Sequence, residues 1–387
     1  MEDKKSRTAN FVDSILRPGG GLRLIEKTAL EGDLELLKEA AALMIATGTQ
    51  TDLSYVRYII KVLAEAPRVD TVERAAQLVF ELNSKPSLRS TASRLAACQN
   101  VEVLQQFLLK HLMDSTYVEL MALLVQELVL RSQVGAIKEP AEQLWCQLRE
   151  MKHPLAWLPL VLSPIERNIT LTQYRTLAQV ASGCYFESIC GSFEEARPTE
   201  QTVLKKPQTH TSGRFELLRE RLPAPAHLAR CVEWKHPESK CEARIFDFLP
   251  AGVEFESTLG QLPLDCLRNF FREPEFRVTD MSDVFSIFFQ AASCGDALSI
   301  SHQYGAYGRL SAWQSMASCA GCVPEESFEQ CCARVAECRW FDLNIDPLAS
   351  TQVVKRDWFY RVIWDFCVIC VHPSNATLAV LAATGTG

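Results

Sequence analysis

The chain has 387 residues, 48% of them apolar and 22% charged, with a net charge of −7. That length suits two or three domains, and the composition suits a globular protein with a sizeable core. The acidic balance excludes a general affinity for nucleic acid or anionic lipid, because no excess positive charge is available for phosphates. The local basic residues Lys205, Lys206 and Arg214–Arg221 are read as a solvated loop. No segment approaches the roughly 18 uninterrupted apolar residues of a spanning helix. The polar start, Met1–Arg7, runs into no apolar leader segment. A cytoplasmic protein is expected, with neither membrane nor nucleic acid as a partner. Fifteen cysteines, several inside apolar runs (Cys98, Cys146, Cys190, Cys266, Cys367, Cys370), then read as reduced core thiols rather than a disulfide framework. In that compartment the sequons at Asn168 and Asn375 carry no glycan.

Residues 1–19 are read as a flexible start. From 20 to about 190 the apolar residues recur with a helical period. Asp33 is a candidate N-cap for a helix over Leu34–Ile45. A second helix, Tyr55–Ala64, starts from Asp52 or Ser54. Others are expected over Val72–Leu82, Leu88–Ala97, Val101–Leu112, Tyr117–Arg131, Pro140–Met151, Leu155–Val161 and Leu171–Ala181, with short connections. Serial short amphipathic helices suggest an α-solenoid of the HEAT or armadillo kind, in which stacking buries each apolar stripe. No fixed repeat length is found, and a compact irregular helical domain is the other reading.

Residues 191–226 are rich in Pro, Thr, Lys and Glu without apolar periodicity and read as a linker or long loop. Within them, Phe215–Arg221 has the pattern of a short helix. From 227 to 387 helices and strands mix. Cys231–Trp234 and Cys241–Leu249 read as paired strands, Pro263–Phe271, Ser282–Ser293, Arg309–Ala317 and Glu325–Glu337 as helices, and Arg339–Leu343 as a short strand. At the end, Phe359–Val371 and Thr377–Thr384 flank the turn residues His372–Ala376, predicting a hairpin. Both strands are apolar on nearly every residue, so both faces must be covered and the hairpin should centre its domain. The fold class is α+β: an all-α, solenoid-like first part, then a mixed domain with a small antiparallel sheet and a C-terminal hairpin.

Four segments carry a family resemblance: Tyr304–Trp313 (YGAYGRLSAW), Cys338–Phe341 (CRWF), Trp358–Asp365 (WFYRVIWD) and Leu378–Thr384 (LAVLAAT). Together they resemble the C-terminal signature of a family of unknown function over the last third of the chain. The resemblance implies no activity and transfers no catalytic residue; it implies that Thr384 lies near the natural end.

Candidate chemistry is sparse. Gly305, Gly308 and Arg309 precede a helix, where free N–H groups and one guanidinium suit a phosphate or carboxylate, with Tyr304, Tyr307 and Trp313 as pocket walls. The pattern lacks both the dinucleotide glycine set and the P-loop Lys-Ser/Thr, and a structural turn with a paired arginine is the plainer reading. Asp365, inside an apolar run, needs Arg361 or Arg309 as a partner or its pKa rises. Asp357 and His372 are isolated acid–base groups, and Ser301-His302 has no third member. Cys319/Cys322 and Cys367/Cys370 form two C-x-x-C pairs, but their separation exceeds the about 15–20 residues of a zinc ribbon, and neighbours three apart on a strand face opposite ways. No metal site, cofactor or catalytic set is assigned. The aromatics Trp340, Phe341, Trp358, Phe359, Tyr360 and Trp364 read as core rather than as an exposed face. Two functions stand: a non-enzymatic interaction scaffold whose helical part binds a protein partner, or an enzyme or small anionic-ligand protein with its site at Gly305, Tyr307, Gly308, Arg309 and Asp365.

Overall fold

The computed structural model describes residues 2–17, 19–66, 68–167, 169, 219–234, 237–247, 259–268, 270, 274–294, 304–345, 358–359, 365–372 and 376–385. The fold is α+β, with helices first and a six-stranded antiparallel sheet built mainly from the C-terminal part. The chain divides into two compact units, residues 1–156 and 157–387. Of the stretch expected as a linker, only residues from 219 onward are described.

The first unit holds nine α-helices among its described residues: α1 (Glu2–Leu16), α2 (Gly21–Leu30), α3 (Leu34–Thr47), α4 (Gln50–Glu65), α5 (Val69–Glu81), α6 (Lys85–Cys98), α7 (Val101–His111), α8 (Val118–Leu130) and α9 (Lys138–Glu150). The stretch read as a flexible start carries α1, whose Phe11, Val12 and Ile15 are buried. Asp33 does cap α3: its carboxylate accepts from the Leu36 N–H at 3.3 Å. Helix α4 starts earlier than expected because the Thr49 hydroxyl accepts from the Asp52 N–H. Instead of a helix over Leu155–Val161 there is a single 3-10 turn, Pro154–Trp157. Pro159 cannot donate to a helical ladder and clashes with the preceding turn.

Packing follows a ladder. Helix α1 touches α2 and α3, α2 touches α3 and α4, α3 touches α4 and α5, and α4 touches α5 and α6. The pattern continues through α5 on α6 and α7, α6 on α8, and α7 and α8 on α9. Helix α8 is buried on every side except at Glu119, as its nearly continuous apolar sequence requires. Its buried glutamate is matched by the residue that caps the helix: Arg131 Nη1 bonds Glu127 at 2.7 Å, and Nη2 donates to the Ser93 carbonyl of α6 at 3.2 Å. Gln99 closes the end of α4 by donating to the carbonyls of Ala64 and Ala66, among the last acceptors of a helix that lack a partner within it.

Among the described residues of the second unit the strands are β1 (Arg219–Glu220), β2 (Lys240–Asp247), β3 (Phe276–Thr279), β4 (Arg339–Leu343), β5 (Phe366–His372) and β6 (Thr377–Thr384), in the order β1-β2-β6-β5-β4-β3. The α-helices described there are α10 (Asp265–Arg268), α11 (Met281–Cys294), α12 (Tyr304–Cys319) and α13 (Phe328–Glu337). The hairpin β5–β6 occupies the centre of the sheet, with His372 opposite Thr377 and Phe366 opposite Ala383. Every residue of both strands is buried. One face, with Cys367, Ile369, Val371, Leu378 and Val380, packs with Leu264 and Leu267 around α10. On the other face Phe366 meets Phe288 of α11, with ring centres 5.8 Å apart.

Three sequence readings are corrected. Arg230–Val232 is a 3-10 turn, not a strand: the Cys231 N–H donates to Ser315 of α12 and the Trp234 indole to Ala291 O of α11, so this segment packs on helices. The partner of β2 is therefore β6, with β1 on its other edge. Arg219–Glu220 is strand, not helix. Third, α12 begins at Tyr304, so Gly305 and Gly308 lie inside the helix rather than in a turn before it. A Cβ on Gly308 would sit 2.1 Å from Ser293 Oγ and 3.2–3.3 Å from Ser293 Cβ and Cα. The glycine permits the close crossing of α11 and α12.

Candidate functional site

Arg309, the proposed anion ligand, is fully buried in the second unit. Its Nε and Nη2 grip both carboxylate oxygens of Glu166, at 2.6 and 2.8 Å. Nη1 and Nη2 also donate to the carbonyls of Pro159 and Val161, at 3.0 and 2.8 Å. Glu166 has no exposure either, and it accepts further from the Trp313 indole and from the Ser163 N–H at the start of its 3-10 turn. A buried charge needs this degree of matching, because desolvation outweighs any single contact. The guanidinium is thus held by internal carboxylate and carbonyl oxygens, and the alternative of a structurally paired arginine describes its geometry. Gly305 is buried within α12 beside it, and Tyr307 is half-buried. Asp365 stands elsewhere, before β5, and accepts from Thr384 Oγ1 at 2.6 Å. The expected partner Arg361 lies outside the described residues, and Arg309 is on Glu166.

Among the other candidates, His372 is buried on β5 with Glu337 at 3.7 Å. Asp357, Ser301 and His302 lie outside the described residues. Trp340, Phe341 and Phe359 are core and Trp358 is half-buried, while Tyr360 and Trp364 are outside the described residues. The two C-x-x-C pairs do not converge. Cys367 faces the α10 side of the sheet, where it lies against Cys266. Cys370 faces the other way and bonds Cys338, with Cys319 and Cys322 in its field.

The sequence reading missed a different grouping. The side-chain donor atoms of Cys322, Glu326 and Cys331 lie within 4.8 Å of one another. Each is placed by a local device. Helix α12 ends on Gly321 at φ +76°, and the Cys322 N–H returns to the Ala317 carbonyl at 2.9 Å, a glycine-terminated cap. Glu326 folds back so that its Oε2 accepts from the Val323 N–H at 2.9 Å, while its own carbonyl accepts from the Trp157 indole at 3.0 Å. Ser327 and Gln330 form a capping box that starts α13 and sets Cys331 on its first turn. Arg334 completes the turn, bonding both oxygens of Glu326 and the Gly321 carbonyl. Cys331 is buried, whereas Cys322 and Glu326 are half-buried. The bond from Cys322 pushes the Cys331 thiol below its ordinary range. The same bond, with burial, pushes the Cys322 thiol up, and burial pushes Cys319 and Cys370 well above the ordinary range, which keeps those two neighbours neutral thiols.

A shallow cleft of about 400 Å³ runs along β2, lined by Glu220, Lys240, Glu242, Arg244, Asp265 and Trp358. Its arginine and acidic groups pair with one another, and Lys240 donates to the Trp358 carbonyl at 3.4 Å. Arg244 lies 2.9 Å from Glu242, 3.6 Å from Glu220 and 3.7 Å from Asp265, which also meets Arg268.

Fold and site together define a two-unit protein, a ladder of helices and an α+β unit with a cysteine-lined turn. The chain belongs to a family of unknown function (DUF6183), whose model matches residues 20–387. That match extends well beyond the last third from which the resemblance was read. No curated protein and no solved structure matches the chain. Among the described residues no helix is long and apolar enough to cross a membrane.

Proposed function

We propose that this is a non-enzymatic interaction scaffold, with the helical unit as an α-solenoid that docks a protein partner in the cytoplasm. The supporting observation is where the ladder leaves large apolar side chains in water. Helices α4, α5 and α6 have none among their strongly exposed residues. The first rungs expose Leu16, Leu22, Leu30 and Leu43, and the last expose Leu109, Met113 and Met151, with Leu30 at 88% and Met113 at 86%. A helix stack buries apolar surface by adding neighbours, so its ends are the natural docking faces. At the last rungs, Met113 contacts Gln147 of α9 through its sulfur, and flexible thioethers suit an adaptable contact. The rival reading, an anionic ligand at Gly305–Arg309, is weakened by the internal commitment of the guanidinium.

The test uses the full chain. Binding partners of wild type are identified and then reconstituted with purified proteins, alongside Met113→Asp/Met151→Asp. The expected outcome is a partner whose affinity for the double variant falls at least about tenfold. Equal binding by both proteins would remove the last rungs as the docking face. A melting shift caused by an anionic metabolite and lost in Arg309→Lys would favour the rival.

A further inference from the structure

We propose that the turn between α12 and α13 is a zinc site, with Cys322 Sγ, Cys331 Sγ and a Glu326 carboxylate oxygen as its three protein ligands. Two thiols and a carboxylate form a donor set suited to this borderline-soft cation, and the three converge within 4.8 Å. Tetrahedral zinc with ligand bonds of about 2.0–2.3 Å holds its ligands about 3.3–3.8 Å apart. The three donors therefore lie close to the spacing that tetrahedral zinc requires.

The charge count supports the same conclusion. Two thiolates and one carboxylate carry three negative charges, zinc offsets two, and Arg334 stands on the carboxylate to meet the third. Arginine in that position acts as an outer partner that orients the ligand. A carboxylate offers about four lone-pair directions. Arg334 and the Val323 N–H supply three donors to Glu326, which leaves one direction for a metal. The three ligands are held in place by a glycine cap, a side-chain turn and a capping box, so little chain ordering is charged to binding. Because Cys322 and Glu326 are only half-buried, the fourth tetrahedral position faces solvent and takes a water. Cys319, Cys338 and Cys370 nearby serve as packing thiols in this arrangement.

The experiment titrates cobalt(II), then zinc, into reduced full-length protein and follows the thiolate-to-metal charge-transfer band and the d–d absorption of tetrahedral cobalt. One equivalent is expected, displaced by zinc, with zinc raising the melting temperature. Cys322→Ser should halve the charge-transfer intensity, and Glu326→Gln should keep that intensity while weakening zinc binding at least about tenfold. Both positions are half-buried, so the variants test the site without emptying the core; Cys146→Ser, exposed on α9, is the control and should behave as wild type. Binding that is indifferent to both site variants would overturn the assignment. So would reduced protein that takes up no cobalt, including the case where the two thiols are recovered only as a Cys322–Cys331 disulfide.

Discussion

Arg131 and Arg309 are both buried, and each is matched to one glutamate, but the first pair spans one helical turn and the second spans 143 residues. Arg131 and Glu127 both belong to the α8 segment, and Arg131 reaches Ser93 of α6 at its carbonyl (3.2 Å) and its hydroxyl (3.5 Å). Arg309 and Glu166 instead bind the start of the second unit to α12, with the Pro159 and Val161 carbonyls and the Trp313 indole gathered on the same two groups. A local pair forms as soon as its helix forms. A distant pair forms only when the tertiary fold is complete, so its loss is felt across the unit. The sharpest break of this comparison is Arg309→Ala, expected to destabilise the second unit by about 3–5 kcal/mol. Arg131→Ala should fall at the low end of that range, because the α8 backbone keeps Glu127 positioned. Amide hydrogen exchange in α12 and α8 reads the two units separately. Equal effects, or protection retained in α12 of Arg309→Ala, would remove the distinction.

A smaller effect is expected where the units differ in helix crossing. In the ladder the tight glycine is Gly21, at the first residue of α2, where a Cβ would meet the Ile15 carbonyl of α1 and stand 3.1 Å from the Tyr55 ring of α4. Helices α11 and α12, by contrast, meet at Gly308 with Ser293 in contact. Gly308→Ala removes an intrinsic helix penalty of about 1 kcal/mol but inserts a methyl where Ser293 Cα and Cβ already stand at 3.2–3.3 Å. The steric cost wins, giving a net loss of about 1–2 kcal/mol from overpacking. Gly308→Ala/Ser293→Ala should recover part of it, since the nearest clash, with Ser293 Oγ, then disappears. Thermal melting checks both variants, and a stabilised single variant would show that the crossing relaxes.

The same contrast governs how much was legible in the sequence. The ladder was readable because its signals are local: periodic apolar positions and the Asp33 cap lie within a few residues. The hairpin was readable because β5 and β6 are apolar at nearly every position, which two-sided burial explains. The short strands β1 and β3 span two and four residues, too few to show a period. Cys231-Val232 looked like a strand because two apolar residues cannot distinguish a strand from a packed turn. Gly305 and Gly308 were read as a loop because glycine weakens isolated helices, while the reason for Gly308 is a neighbour on another helix. The Arg309–Glu166 pair is beyond any window of sequence. The thiol turn was half legible: the capping box Ser327-x-x-Gln330 marks where α13 begins, which places Cys331 one turn inside it. The return of Cys322 towards it depends on the glycine cap at Gly321.

The smallest effect expected belongs to the ladder alone and depends on pH. His111, at the end of α7, stacks between Phe107 and Tyr117, with ring centres at 4.9 and 4.4 Å. Burial pushes its pKa below the ordinary value. Lys110 acts in the same direction, while Glu73 at 4.0 Å and Asp114 at 3.9 Å oppose it. The sign follows from proton counts. Unfolded, the imidazole takes up its proton near pH 6.5, whereas folded it does so only at lower pH. Between those two values the unfolded chain binds more protons, so stability falls as pH drops below about 6.5 and levels off once the folded histidine is also charged. Above pH 6.5 this contribution is fully present. His111→Gln keeps a polar side chain of similar reach and removes the titration, so the variant's melting temperature should fall less steeply than that of wild type between pH 6.5 and the onset of carboxylate protonation. Parallel curves would mean that Glu73 and Asp114 hold the imidazolium as well in the folded ladder as water does in the unfolded chain, and that the aromatic surroundings do not govern this residue.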